Sequence, residues 1–283
     1  MNTSSSDRMI FFTDIDETLL NTDKSLSPEN MDALDRFLAM DNIICVSTGR
    51  ALDGAANALR KLGLYGRKNL LISSYNGGHV FDTYEEKTLL LRTIPLDLIY
   101  RAFDLANEFG IHIQSYSKHD VISQTDNHHL RKYLSIQKLG VQFIDDVRTA
   151  DLQPAPKLLC LDYDDPLHVI EFRKLFEEKM AGQLDCFNSN PNLLEIVPCG
   201  VNKGSSLQFL AEYYGIDIRN TISAGDAEND LSMIRAAGIG CAMQNADPML
   251  KAEADYVTEH DNNHAGVAEI LERFCFIPSR TTL

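Results

Sequence analysis

An apolar run that ends in two acids constrains this chain more than any other stretch. Met9-Ile10-Phe11-Phe12 is short enough for a buried strand, and Thr13-Asp14-Ile15-Asp16-Glu17-Thr18 follows at once. Two carboxylates at the mouth of a buried strand are costly unless they meet a cation or a proton. Period-two alternation sends Asp14 and Asp16 the same way out of the strand's carboxyl end. That end is where open α/β sheets place ligands. One carboxylate there could bind a Mg²⁺ ion, which takes oxygen ligands, and attack a phosphorus. The other could trade a proton with the leaving group. A calcium loop also opens Asp-x-Asp, but it needs Gly at its sixth position and Glu at its twelfth. Counted from Asp14, those positions hold Leu19 and Ser25, which excludes it.

The flanking sequence supplies a sheet for that strand. Ser27-Pro28 starts a helix, with Ser as N-cap and Pro at the first helical position. Met31, Leu34, Phe37 and Leu38 then recur at helical spacing. Residues 43–46 read as a second buried strand, running into Ser47-Thr48-Gly49-Arg50 and a helix over 51–62. Residues 70–72 are a third strand, ending in Ser73-Ser74-Tyr75-Asn76-Gly77-Gly78. Strand, helix, strand, helix, strand predicts a parallel sheet with helices on its faces. The middle differs. Residues 79–81 and 88–93 read as a hairpin, helices are expected over 97–109, 127–139 and 166–180, and the strands between them are half polar, as in antiparallel sheets. From residue 193 the parallel pattern resumes, with strands at 193–197, 221–224, 239–243 and 255–258 and helices at 203–214, 231–237 and 267–274. The expected fold class is α/β, a Rossmann-like doubly wound parallel sheet core. It would comprise residues 1–81 and 187–283, with an α+β domain inserted over 82–186.

Composition bounds the partners. A chain of 283 residues accommodates two domains, and 44% hydrophobic residues support an ordinary core. A net charge of −15 argues against nucleic acid or an anionic membrane as partner, since both need a basic surface. It also means that an anionic substrate needs local positive charge. The six cysteines are scattered with no Cys-x-x-Cys pair, so no zinc or redox motif is indicated. Residues 1–7 are polar and Ser-rich, unlike a signal peptide, and no apolar stretch is long enough to span a membrane. A cytoplasmic, reduced protein is the expectation.

Three further sites fall just past expected strands. Thr48-Gly49 offers a hydroxyl and backbone N–H groups at a strand-to-helix turn, which suits a phosphate. Lys203 opens a helix, where a cation is disfavoured unless anions lie nearby. Gly225-Asp226-Ala227-Glu228-Asn229-Asp230 clusters acids and an amide at a helix start; such residues also cap helices, but this pattern is far more specific than a cap.

Taken in order, Asp-x-Asp-x-Thr, Thr-Gly-Arg, Lys-Gly and Gly-Asp-x-x-Asn-Asp make the chain resemble the haloacid dehalogenase superfamily of aspartyl-phosphate phosphohydrolases. More closely it resembles the Cof-type branch, with its large C2B-type α/β cap. Asn76-Gly77-Gly78, Met243-Gln244-Asn245-Ala246 and the closing Asp261 to Ala268 stretch extend the likeness over nearly the whole chain. The resemblance implies a Mg²⁺-dependent phosphatase acting on a small phosphorylated metabolite such as a sugar phosphate, held between core and cap. It implies Asp14 as nucleophile and Asp16 as acid and base. Thr48, Gly49, Asn76, Lys203 and Asn229 would contact the phosphoryl group. Asp14, Asp16 through its carbonyl, Asp226 and Asp230 would surround the metal. A phosphotransferase or mutase on the same scaffold is the alternative. The substrate's identity and the oligomeric state stay open, with loops 116–120 and 124–129 as candidate specificity elements.

One departure stands out. Glu17 occupies a position where the family most often has Gly, and a Glu does not adopt a positive φ cheaply. Arg50 reads as a helix-start side chain pairing with acids. His112, His128 and His129 are weaker candidates, the adjacent pair reading as a solvated helix start.

Overall fold

The computed structural model describes residues 8–117 and 120–276. Residues 1–7, and Lys118 and His119 of the candidate loop 116–120, lie outside the described residues. The chain divides into two units, one reaching to Leu89 and resuming at Asn202, the other spanning Leu90–Val201.

The first unit opens with β1 (Ile10–Asp14), α1 (Pro28–Ala39), β2 (Ile43–Ser47), α2 (Leu52–Lys61), β3 (Leu70–Ser74), β4 (His79–Asp82) and β5 (Lys87–Leu91). The second unit follows with α3 (Leu96–Phe109), β6 (His112–Tyr116), β7 (Asp120–Ser123), α4 (His128–Gln137), β8 (Gly140–Phe143), β9 (Leu158–Leu161), α5 (Pro166–Lys179), β10 (Leu184–Asn190) and β11 (Leu193–Pro198). The chain returns to the first unit through α6 (Lys203–Tyr214), β12 (Thr221–Gly225), α7 (Leu231–Ala236), β13 (Ile239–Ala242), α8 (Pro248–Glu253), β14 (Tyr256–Val257) and α9 (Gly266–Leu271).

In the first unit the strands lie in the order β14-β13-β12-β1-β2-β3-β4-β5. Strands β14 through β3 pair in parallel, and β4 adds antiparallel to β3. Every residue of β1, β2, β3 and β12 is buried, as expected of parallel strands covered on both faces. Phe11, Leu34, Phe37, Ile44, Val46 and Ile222 share one apolar cluster. The Phe11 and Phe37 rings meet edge to face, 6.2 Å between centroids. Helix α1 starts as its sequence dictates, with the Ser27 hydroxyl accepting the Asn30 amide hydrogen and Pro28 in the first turn. Successive strands run one way from β1 through β2 to β3 and the other way from β12 to β14. The carboxyl ends of β1, β2 and β12 therefore flank the point where strand order reverses, the usual ligand position in such sheets.

The second unit has its own sheet, ordered β10-β11-β9-β6-β7-β8. Ile113, Leu158, Cys160, Leu194 and Ile196 cluster with Phe103, Phe172 and Phe176 from α3 and α5. No helix among the described residues is long and apolar enough to cross a membrane.

The boundaries differ from the sequence reading at both ends. The 79–93 hairpin extends the first unit's sheet, so the second unit starts at Leu90 rather than residue 82. Residues 193–197, expected as the returning parallel strand, instead lie in β11, antiparallel to both β10 and β9. Only Pro191 and Asn192 separate β10 from β11, and so short a connection permits nothing but an antiparallel pair. Glu195, in the middle of that apolar run, is buried and paired with the equally buried Lys157 at 2.6 Å. An apolar run of this length carries no record of its partner's direction, and β10, itself half polar, gave no strand signal.

Candidate active site

Three segments meet at the reversal point, the end of β1, the start of α6 and the turn after β12, and their charged groups form one buried cluster. Asp14 is the last residue of β1. Lys203, the first residue of α6, is fully buried, and its Nζ lies 2.6 Å from Asp14 Oδ1 and 2.5 Å from Asp230 Oδ1. Asp230 Oδ2 accepts the backbone amides of Asp226 and Ala227 at 2.9 and 3.1 Å. Both Asp230 oxygens are therefore engaged in holding Lys203 and the turn after β12. Gly225 precedes this turn, and a Cβ there would overlap the Asp230 side chain. Asp226 Oδ1 accepts the Thr18 hydroxyl at 2.6 Å. Oxygens of Asp14, Asp226 and Asp230 lie within 4.8 Å of one another.

One buried cation among three acids leaves an excess of negative charge, and the proton affinities register it. Burial first, then the Asp230 charge, pushes Asp14 up to about 7 despite the opposing pull of Lys203. Burial, then the charges of Asp14 and Asp230, pushes Asp226 up to about 8. Burial alone would lower Lys203, but Asp14 and Asp230 overcome it and hold the ammonium well above its usual range. This donor set, all hard oxygens with surplus negative charge, fits a divalent cation such as Mg²⁺.

Asp16 does not join this cluster. Arg50 grips it in a fork, Nη2 to Oδ1 at 2.6 Å and Nε to Oδ2 at 2.9 Å. Burial would raise Asp16, but Arg50 and then Lys24 outweigh that and hold it below the usual carboxylate range. The turn around it does need a positive φ: Glu17 sits at φ 57. Its conformation is fastened from several sides. The Glu17 carbonyl accepts Asn245 Nδ2 at 2.8 Å, and its carboxylate accepts the Thr22 hydroxyl at 2.9 Å and Asn262 Nδ2 at 3.2 Å. Asn245 and Asn262 belong to the stretches near the chain's end that carried the family resemblance, and here they hold the nucleophile loop.

The expected phosphate contacts are knitted together by Asn76. Thr48, one residue past β2, is buried, and its hydroxyl accepts the Arg50 amide at 3.2 Å. Asn76, fully buried at φ 54, donates its backbone N–H to the Thr48 carbonyl at 2.9 Å. Its Oδ1 accepts Asn229 Nδ2 at 3.1 Å, and its Nδ2 is buried with no hydrogen-bond acceptor among the described residues. A Cβ at Gly49 would stand 3.1 Å from that Nδ2, so glycine allows the close approach.

The histidines lie elsewhere, in the second unit. His112 is buried between Asn127 and Gln114, and burial pushes it down to about 4. His128 pairs with Asp164 at 2.5 Å, and His129 Nδ1 accepts the Tyr163 amide at 3.1 Å. The two rings meet, with centroids 3.8 Å apart. As the first residues of α4 they are both drawn toward the acids at 162 and 164. Sequence reasoning overlooked Lys24, whose Nζ lies 3.2 Å from Asp16. A lone Lys in a polar loop carries no signal of that pairing.

Comparison with known proteins gives the family. A family model described as haloacid dehalogenase-like hydrolase matches residues 11–271. The 5-amino-6-(5-phospho-D-ribitylamino)uracil phosphatase YcsE of Bacillus subtilis is 29% identical over 267 residues, 92% of this chain and 93% of that protein. Its counterpart YitU is 26% identical over 265 residues, covering 92% and 95%. The crystal structure of a haloacid dehalogenase-like hydrolase from Bacteroides thetaiotaomicron superimposes with a TM-score of 0.82 at 28% identity, over 94% of this chain and 99% of that one. With its motifs at the carboxyl ends of adjoining strands and the family model matched from β1 to α9, the chain belongs to the haloacid dehalogenase-like hydrolases.

Proposed function

We propose that this hydrolase is a Mg²⁺-dependent phosphatase of small phosphorylated metabolites in the cytoplasm, working through an aspartyl-phosphate on Asp14. The observation that carries this reading is the buried Asp14–Lys203–Asp230 chain beside Asp226. Lys203 holds Asp14 Oδ1 and leaves Oδ2 to attack phosphorus. The Asp14–phosphorus bond forms as the bond to the leaving oxygen breaks, and Asp16 gives that oxygen a proton. Water then attacks phosphorus and gives its proton to Asp16, and the bond to Asp14 breaks. Lys203, the Thr48 hydroxyl, the Gly49 amide and the Asn76 and Asn229 amides receive the phosphoryl oxygens. Asp14, Asp226 and the Asp16 carbonyl would hold the metal, with Asp230 setting Lys203 and the 226–227 amides rather than ligating directly. The bound cation supplies charge neutralisation of the phosphoryl group.

The test is phosphate release from a panel of phosphorylated metabolites, with Mg²⁺ and with chelator, for wild type and Asp14→Asn. The panel includes phosphorylated sugars and polyols, since YcsE and YitU are named for a phosphoribityl compound. Metal-dependent release that falls by about a thousandfold or more in Asp14→Asn supports the reading. Isomerised product without phosphate release would mark a mutase instead, and silence across the panel would overturn the proposal.

A further inference from the structure

Glu17 breaks the local rule for its position, and its side chain points to a reason. It holds a left-handed φ of 57, and so does Lys24, at φ 67. Two non-glycine residues in that region within one loop cost energy that a free loop would release. Glu17 Oε2 is fastened by Thr22 and Asn262, which aims Oε1 at Lys24 Nζ, 3.1 Å away. The same Nζ lies 3.2 Å from Asp16 Oδ1. These side chains are one-third to one-half exposed, and ion pairs so exposed contribute little stability. The Lys24 ion pairs therefore do little to offset the strain at Lys24 itself.

The contacts on Asp16 are unequal. Among the described residues, Oδ1 carries both Arg50 Nη2, at 2.6 Å, and Lys24, whereas Oδ2 carries only Arg50 Nε, at 2.9 Å. A carboxyl group pinned through one oxygen can release the other to exchange a proton without losing its place. We infer that Lys24 is a positioning residue for Asp16, set by Glu17, and that it anchors Oδ1 while Oδ2 meets the leaving oxygen. This rests on the phosphatase reading and adds to it a second cation and its brace.

The consequence depends on the leaving group. p-Nitrophenolate leaves without help from an acid, whereas an alkoxide needs its proton, and a well-placed general acid contributes about 10²–10⁴-fold. Turnover of p-nitrophenyl phosphate and of the best alkyl phosphate is measured for wild type, Lys24→Met, Lys24→Arg and Glu17→Gln, with thermal melting of each. Lys24→Met is expected to lower kcat/KM, which reports phosphoryl transfer to Asp14 and not the hydrolysis step both esters share, about tenfold on the alkyl ester and less than about twofold on the aryl ester. Lys24→Arg, which keeps the cation, restores the alkyl rate. Glu17→Gln keeps an acceptor for Thr22 and Asn262 but turns an amide toward Lys24, so it shifts the alkyl rate in the same direction as Lys24→Met. Adding it to Lys24→Met costs nothing more, because the two act through one contact. Equal losses on both esters, or unchanged rates on both in folded variants, would overturn the positioning role alone. If wild type hydrolyses neither ester, the phosphatase reading fails and this inference with it.

Discussion

Lys203 shows at the scale of one residue how a costly group becomes useful. Its ammonium is buried and lies between two carboxylates, so each charge is tolerable only because the others are present. Lys203→Met would strand Asp14 and Asp230 without their cation. We expect a loss of about 3–5 kcal/mol in denaturant unfolding together with loss of turnover. Thr18 makes a subtler case. Its hydroxyl bonds the Asp226 carboxylate at 2.6 Å and so orients an expected metal ligand. Thr18→Val keeps the shape and removes the bond. Its Mg²⁺ activation curve should move to roughly tenfold higher concentration, with the melting temperature nearly unchanged. The motif letters Asp14, Asp16, Thr18, Lys203, Asp226 and Asp230 were legible in the chain because their spacing is rigid. Lys24, a lone cation in a polar loop, was not, and neither was the bracing of Glu17, which Asn245 and Asn262 reach across more than 220 residues of sequence.

At the scale of elements, the reaction groups depend on how strands end. Gly225 closes β12 and lies against Asp230, so the strand's last residue fixes where Lys203 is held. Gly225→Ala would force the Asp230 side chain to move. A destabilisation of about 1–3 kcal/mol and a fall in phosphate release are expected, measurable on the same preparation by urea unfolding and by assay. Helix α1 and strands β1, β2, β3 and β12 were readable from sequence because caps and short apolar runs are local signals. The second unit's strands were less so. Strand β11 looked like a parallel core strand, and only its two-residue turn from β10 and the Lys157–Glu195 pair assign it to the antiparallel sheet.

At the scale of the whole molecule, the acid cluster couples stability to pH and to metal. Asp14 and Asp226 bind protons more tightly folded than unfolded, with affinities raised from 3.8 to about 7 and about 8. Between pH 4 and pH 8 the folded state therefore holds more protons, and stability falls as pH rises. Asp16, held low, acts only below that window. In chelator the melting temperature should fall between pH 5 and pH 8, and Mg²⁺ should raise it more at pH 8 than at pH 5, as scanning calorimetry would show. A melting temperature independent of both would mean that the cluster is not charged as described. What the sequence by itself determined is the parallel α/β core and the order of its acidic, hydroxyl and lysine motifs, because strand periodicity, caps and motif spacing are written within a few residues. What only the tertiary structure decided is which charges meet. Asp16 went to Arg50 and Lys24, Asp230 to Lys203 and two amides, and β11 to the second sheet. Those pairings join residues distant in the chain, and their energies depend on burial and direction, which no local stretch encodes.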